Sequence, residues 1–321
     1  MTHRIARREF LGALSGMAAT SALSCATLFA RERPNPPIDL SHCDTPIAPA
    51  LSEIHFGYAA ITWGGNDRQA VDDISAVGFR GIQLRSNSIA EFGSPTAVRD
   101  LLNQHELKFV ALSSGDLLSD PAVAKKSIAE HAAHAKFLRA AGGLYLQIID
   151  NRPTGRSAAP ADFKQLGKTL TELGKRTVDL GIPLGYHNHM GSLGERPEEL
   201  DQIMGVSDPR YVKLELDIAH YFQGGGDPVK AIERFSDRLL FLHIKDVERL
   251  AGGKDPEHSY RFVELGHGLV DVPAVFEALR KVNFRGWAVV ELDEVPDNAH
   301  SPKGAAAANK QYLQEKLGLT V

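Results

Sequence analysis

The chain has two cysteines in 321 residues, Cys25 and Cys43. Cys25 falls inside an N-terminal segment that reads as an export signal, so the folded domain cannot rest on a disulfide framework. Basic residues are not in excess. Lys and Arg number 36 against 40 Asp and Glu, the formal net charge is -4, and no long basic run occurs. Nucleic acid as a partner needs clustered cations and is therefore disfavoured. No segment is apolar enough to read as a transmembrane domain. The first predicted strand is not followed by Gly-x-Gly-x-x-Gly. Ala59-Ala60-Ile61-Thr62-Trp63-Gly64-Gly65 stands there instead, which argues against an open, doubly wound dinucleotide-binding sheet. A Gly-rich loop ending in Lys-Ser or Lys-Thr is also missing, which removes that route to phosphate binding.

What is present is ordinary globular material, 43% apolar and 24% charged, enough for a substantial core. Three regions follow from composition. Residues 1–30 carry Arg4, Arg7 and Arg8, then a mildly apolar run rich in Ala, Ser and Gly, as in a twin-arginine export signal. The expectation is a periplasmic protein. Ser24-Cys25-Ala26 offers small residues for ordinary cleavage, and Leu23-Ser24-Cys25 a less favoured degenerate lipid-anchor site at Cys25. Residues 31–52 form a linker that Pro34, Pro36, Pro37, Pro46 and Pro49 keep out of helix and central strand. His42 and Cys43 lie in it, and such a pair in a tether is usually incidental.

Residues 53–321 alternate strand and helix patterns. Predicted strands are Ile54–Ile61, Arg80–Arg85, Lys108–Leu112, Leu144–Ile149, Ile182–His187, Tyr211–Asp217, Leu239–Ile244 and Gly286–Leu292. Predicted helices are Asp67–Val77, Pro95–His105, Pro121–Ala141, Asp162–Leu180, Pro197–Met204, Pro228–Phe235, Val272–Val282 and Pro302–Leu317. Glycine follows several of these helices and proline opens several, as capping chemistry expects. Eight strand–helix units in strict alternation predict a closed parallel α/β barrel, the (β/α)8 or TIM barrel, as a single domain.

Such a barrel gathers the C-terminal ends of its strands on one face. Four strand-like runs here end in metal-binding side chains: Leu184–His189, Lys213–His220, Leu240–Asp246 and Trp287–Asp293. Histidines and carboxylates converging in one pocket are what a divalent cation needs. Each residue also has a plainer reading. Asp217 suits a helix cap or a buried salt bridge, and His243 a satisfied core histidine. Glu291 suits a rim charge. His187 and His189 share one side of an extended chain at period two, so one can bind metal while the other meets substrate. His187, nearest the strand end, is favoured as the ligand. Lys245, with its pKa lowered, is a candidate acid or base, or else the partner of Asp246 or Asp217. His220 is a candidate acid or a support for the ligands. His267, in Gly266-His267-Gly268, is a candidate substrate contact. Gln147 and Asp150, at the end of the fourth strand, face the same mouth.

Five segments together resemble the xylose-isomerase-like barrels called sugar phosphate isomerases/epimerases, especially their inosose-dehydratase-like branch. They are Tyr186-His187-Asn188-His189-Met190-Gly191, Glu215-Leu216-Asp217-Ile218-Ala219-His220, His243-Ile244-Lys245-Asp246, Glu264-Leu265-Gly266-His267-Gly268 and Val290-Glu291-Leu292-Asp293. The resemblance covers nearly everything after the linker. It implies one divalent metal ion, manganese, cobalt, magnesium or zinc, with Asp217, His243 and Glu291 at ligand positions. The fourth ligand is usually a glutamate in the epimerase branch. His187 stands there, which points away from epimerisation by two metal-bound glutamates. The expected function is a metal-dependent lyase or dehydratase. It would act on a keto sugar, a 3-keto-glycoside or an inosose by enediolate formation and β-elimination. His187, His189 or Glu291 would serve as base, and Lys245 or His220 as acid. A metal-dependent isomerase or epimerase on an unphosphorylated ketose is the alternative. A non-catalytic sugar-binding barrel in the envelope is the third reading. The expected partner is a small carbohydrate. Homo-oligomerisation through the helical exterior stays open.

Overall fold

The computed structural model describes residues 53–250, 259–296 and 301–321. Residues 1–30, read above as an export signal and including Cys25, and residues 31–52, with His42 and Cys43, lie outside the described residues. Ten strands occur among the described residues, and eight of them close a parallel barrel in the order β1-β10-β7-β6-β5-β4-β3-β2. The barrel strands are β1 (Ile54–Ala59), β2 (Gly81–Arg85), β3 (Lys108–Asp116), β4 (Tyr145–Ile149), β5 (Leu184–His187), β6 (Val212–Asp217), β7 (Leu239–Ile244) and β10 (Gly286–Val290). Strand β1 pairs with both β10 and β2, which closes the ring. The (β/α)8 expectation is therefore met, and every predicted strand has its counterpart.

The helices are α1 (Asp67–Val77), α2 (Asn87–Phe92), α3 (Pro95–Gln104), α4 (Pro121–Ala140), α5 (Pro160–Asp179), α6 (Pro197–Val206), α7 (Ile218–Gln223), α8 (Pro228–Arg234), α9 (Val272–Lys281) and α10 (Pro302–Glu315). Helix α5 shows why these segments are helical. Asp162 accepts the Ala159 N–H at its start, and Phe163, Leu166, Leu170 and Leu173 recur on one buried face. Two short helices, α2 and α7, were not anticipated. Six residues are too few to display a 3.6-residue period. Strands β8 (Asp246–Arg249) and β9 (Tyr260–Val263) were also missed. They form an antiparallel pair outside the barrel, between β7 and α9.

Strand periodicity splits the core in two. On β6, Leu214 and Leu216 join the main core that includes the helices' buried faces, while Glu215 and Asp217 alternate with them and face inward. The barrel interior has its own small apolar cluster, which includes Ala59, Ala111, Phe241 and Val289, with Tyr145 and Trp287 packed against it. Phe241 and Tyr145 stack at 5.3 Å between centroids. Burying Phe241 contributes about 1.5–3 kcal/mol. A β-carbon at Gly81 would collide with the Trp287 ring, so this glycine makes room for the large side chain opposite. The apolar plug is one turn of the pleat below the polar layer: Tyr145 precedes Gln147, Phe241 precedes His243, and Trp287 and Val289 precede Glu291 on the inward face. The site rests on this packed floor.

Candidate metal centre and active site

The register aligns the polar layer. His187 lies opposite Glu215, Asp217 opposite His243, and His243 opposite Val289, two residues before Glu291. His187, Glu215, Asp217, His243 and Lys245 are all at most 1% exposed. Nδ1 of His243 lies 3.5 Å from Asp217 Oδ2 and 3.4 Å from Glu291 Oε1. Ligand atoms of His187, Asp217 and His243 lie within 4.8 Å of one another.

Asp217 performs two tasks, one with each oxygen. Oδ1 accepts the N–H groups of Ala219 and His220, each at 2.8 Å, and so caps α7. Oδ2 is buried and has no hydrogen-bond partner. The capping reading and the ligand reading are thus compatible. Asn188 fixes this aspartate between strands. Its Oδ1 accepts the Asp217 N–H at 3.0 Å and its Nδ2 donates to the Asp217 carbonyl at 3.1 Å.

His187 Nδ1, both Glu215 oxygens, Asp217 Oδ2 and His243 Nδ1 are buried without a hydrogen-bond partner. Buried polar atoms are normally satisfied, and a cluster of such orphans calls for an explanation. Neutral imidazole and carboxylate donors around one point fit a divalent cation. Charge accounts for the titration pattern. Burial lowers the pKa of His187 well below its ordinary value, and the nearby His243 adds to this. Burial alone would lower His243, but Glu215 and Glu291 outweigh it and hold His243 well above. Burial alone would raise Glu291, but His243 and Lys245 hold it well below. Burial pushes Glu215 up to about 7 against the pull of His243.

A second group, His187, His189 and His220, also brings three ring nitrogens within 4.8 Å. It suits a cation poorly. The Lys245 ammonium lies 3.4 Å from His220 Nε2, and no carboxylate belongs to the group. His189 Nδ1 lies 2.6 Å from the Met190 carbonyl oxygen, which can only accept. Nδ1 is therefore the nitrogen that donates, on a ring that lines a cavity.

For Lys245 the ion-pair reading prevails over the acid or base. It donates to Asp293 Oδ1 at 2.6 Å and Glu291 Oε1 at 3.0 Å, and its Nζ stands 3.8 Å over the Phe262 ring. Burial alone would lower its pKa, but Asp293, Glu291 and Asp217 together raise it. The lysine is held as a fixed cation and does not titrate near neutrality. The acid reading of His220 is corrected. Burial, with Lys245 beside it, holds its pKa well below the ordinary value, so it is a poor acid.

A cavity of about 150 Å³ opens above this layer, lined on one side by His187, His189, Glu291 and Asp293 and on the other by Gln83, Arg85, Ser113 and Gln147. Gln83 and Gln147 form a relay. Gln83 Oε1 lies 3.0 Å from His243 Nε2, and Gln83 Nε2 donates to Gln147 Oε1 at 2.9 Å. Gln147 therefore keeps its amide N–H groups for a ligand. Asp150 turns away from this space. It is buried, accepts from Tyr186 Oη at 2.7 Å and the Leu193 N–H at 3.0 Å, and is pushed up to about 6 by burial. His267 is exposed and does not line the cavity. Its loop folds around Asp246, whose Oδ2 accepts the Gly266 and Gly268 N–H groups at 3.0 and 2.9 Å. That wrapping carries the histidine outward, and His267 is not brought to the site.

The sequence reading assigned no role to Gln83, Asn188, Glu215 or Asp293. Period two gave the signal for two of them, since Glu215 precedes Asp217 by two and Asp293 follows Glu291 by two. Gln83 carries no comparable mark, because an amide in a strand is not distinctive.

Residues 71–316 match the model of the xylose isomerase-like TIM barrel. The chain belongs to that family. It is 25% identical over 303 residues to the inosose dehydratase of Lacticaseibacillus casei, covering 83% of this chain and 98% of that protein. It is 31% identical over 268 residues to the rhizopine catabolism protein MocC of Rhizobium meliloti, covering 80% and 78% of the two chains. Among solved structures, the IolI protein with a bound zinc atom superposes with a TM-score of 0.70 at 18% identity, covering 82% and 97%. The barrel named as the 3-DHS dehydratase AsbF of Bacillus anthracis gives 0.67 at 15%, covering 81% and 99%. The chain is an enzyme of the dehydratase and isomerase class of this family. A divalent metal suits its His and Asp cluster. No helix among the described residues is long and apolar enough to cross a membrane.

Proposed function

We propose that this protein is a metal-dependent dehydratase of a keto-cyclitol or keto sugar, inososes and 3-keto-glycosides being the favoured substrates. The observation that carries the reading is the buried cluster of His187, Asp217, His243 and Glu291 at the floor of a cavity that also presents the His189 ring. The inosose dehydratase of Lacticaseibacillus casei, similar over 83% of this chain, supports the substrate class. A divalent cation held by the four residues would polarise a substrate carbonyl and acidify the neighbouring C–H.

The rest is the work of the chain. His189 Nε2, on a ring that lines the cavity, removes the proton beside the carbonyl. The electron pair forms a carbon–carbon double bond as the β-oxygen leaves. The imidazolium of His189 returns its proton to that oxygen, which departs as water or as an alcohol. Lys245 keeps Glu291 ionised and in place. Gln147 and Ser113 offer hydrogen bonds to hydroxyls on the far side.

The test is turnover of scyllo-inosose and of 3-keto-glucosides by protein loaded with manganese, cobalt or zinc in deuterated water. Elimination yields a product lighter by the departing group. A product of unchanged mass apart from deuterium would replace this reading with an isomerase. Tight binding without turnover would leave a binding barrel. We also propose export. Arg7 and Arg8 within residues 1–30 support it, and a twin-arginine pair changed to lysines should keep the protein in the cytoplasmic fraction.

A further inference from the structure

Glu215 is a carboxylate with no exposed surface, at the base of the site, and neither of its oxygens makes a hydrogen bond. Leaving such a group in a low-dielectric interior is costly unless it serves its neighbours. Its neighbours are two histidines. Oε1 lies 3.0 Å from His243 Nε2, and Oε2 lies 3.4 Å from His187 Nδ1. Each contact engages one nitrogen of a ring whose other nitrogen is free to turn elsewhere. For His243 the other nitrogen is Nδ1, which faces Asp217 and Glu291. For His187 it is Nε2, on a ring that lines the cavity. The space for Glu215 is built in. A β-carbon on Gly185 would approach Glu215 Cβ and the Phe241 ring at 3.3 Å each.

We infer that Glu215 is a positioning residue for two ligand histidines at once: with a cation bound it would take N–H from Nδ1 of His187 and Nε2 of His243, so that Nε2 of His187 and Nδ1 of His243 face the cation. A carboxylate behind a ligating histidine fixes ring orientation and strengthens the donor. Here a single carboxylate stands behind two. Gln83 Oε1, also 3.0 Å from His243 Nε2, shares that duty for one ring only. The charge fits as well. With a cation bound the two histidines would be neutral donors, and Glu291 shares its charge with Lys245. This inference rests on the metal reading above and is independent of which substrate is turned over.

The test uses zinc alone. Zinc affinity of the full-length protein is measured by competition with a chromophoric chelator, in the wild type and in Glu215→Gln. The expected loss is about 10- to 100-fold, with cooperative thermal unfolding retained. Glu215→Asp, which keeps the charge, should recover part of it. Unchanged zinc affinity in a folded Glu215→Gln protein overturns the inference and leaves the proposed function standing. A wild-type protein that takes up no zinc overturns both. Should the variant not fold, nitrogen NMR of histidine-labelled, zinc-loaded wild type decides. Ligation through Nε2 of His187 and Nδ1 of His243 supports the inference, and the opposite nitrogens overturn it.

Discussion

The two walls of the cavity are built from different chemistry. The wall from β5, β6, β7 and β10 is ionisable: His187 and Glu291 line the cavity, and Glu215, Asp217, His243 and Lys245 lie buried behind them. The wall from β2, β3 and β4 is made of amides and a hydroxyl, Gln83, Ser113 and Gln147, with Arg85 at the rim. Ionisable groups that are buried and mutually paired have their protonation fixed by neighbours. Amides do not titrate and recognise hydroxyl patterns. The contrast separates reaction from recognition, and the His243–Gln83–Gln147 relay is where the two walls join.

The largest effect should come from breaking the ionisable wall at its centre. His243→Ala should abolish stoichiometric metal binding by elemental analysis and lower turnover by roughly 10³-fold or more, several kcal/mol of lost charge stabilisation. Lys245→Met should come next. It leaves Glu291, Asp293 and Asp217 without their cation. Removing one partner of a buried pair costs about 3–5 kcal/mol, read as a lower denaturant midpoint, and added metal should restore part of that stability. If Lys245→Met unfolds at the wild-type midpoint without metal, the fixed-cation assignment fails.

The recognition wall should respond differently. Gln147→Leu removes donors from the cavity and should raise KM about tenfold with little change in metal content, a loss of about 1–1.5 kcal/mol. A fall in metal content instead would mean the relay matters more to the metal than to substrate.

Acid should act on the ionisable wall first. Glu215 and Glu291 raise the pKa of His243, and a cation must displace its proton. Metal affinity should therefore weaken as pH falls, by about tenfold per unit while one proton competes. Calorimetry in buffers of different ionisation enthalpy would count that proton, and none released would contradict the assignment.

The smallest effect belongs away from both walls. Asp162 caps α5 and pairs with Arg156, which draws its carboxyl down to about 2. Its folded pKa lies below its unfolded value. Its contribution is thus present above about pH 4 and lost as pH falls toward 2. Asp162→Ala should cost less than ~1 kcal/mol, since the ion pair is screened by solvent, and should leave turnover unchanged.

The sequence by itself determined the barrel. Strand and helix periods alternate eight times, and inward and outward residues on β6 and β7 are readable from period two alone. It also marked His187, Asp217, His243 and Glu291, because ionisable groups at strand ends are costly to bury without a purpose. Tertiary structure decided what these groups do. The sequence left Lys245 as either a titrating acid or base or an ion-pair partner, and three carboxylates from β6 and the segment after β10 fix it as a cation. His267 looked like a substrate contact until Asp246 drew its loop away. Glu215 passed for a strand residue, and only the pairing of β5, β6 and β7 set it between two histidines. The reason is physical. Periodicity records which face a side chain takes, but protonation and ligand geometry depend on charges a few ångströms away, and those neighbours come from strands distant in the chain.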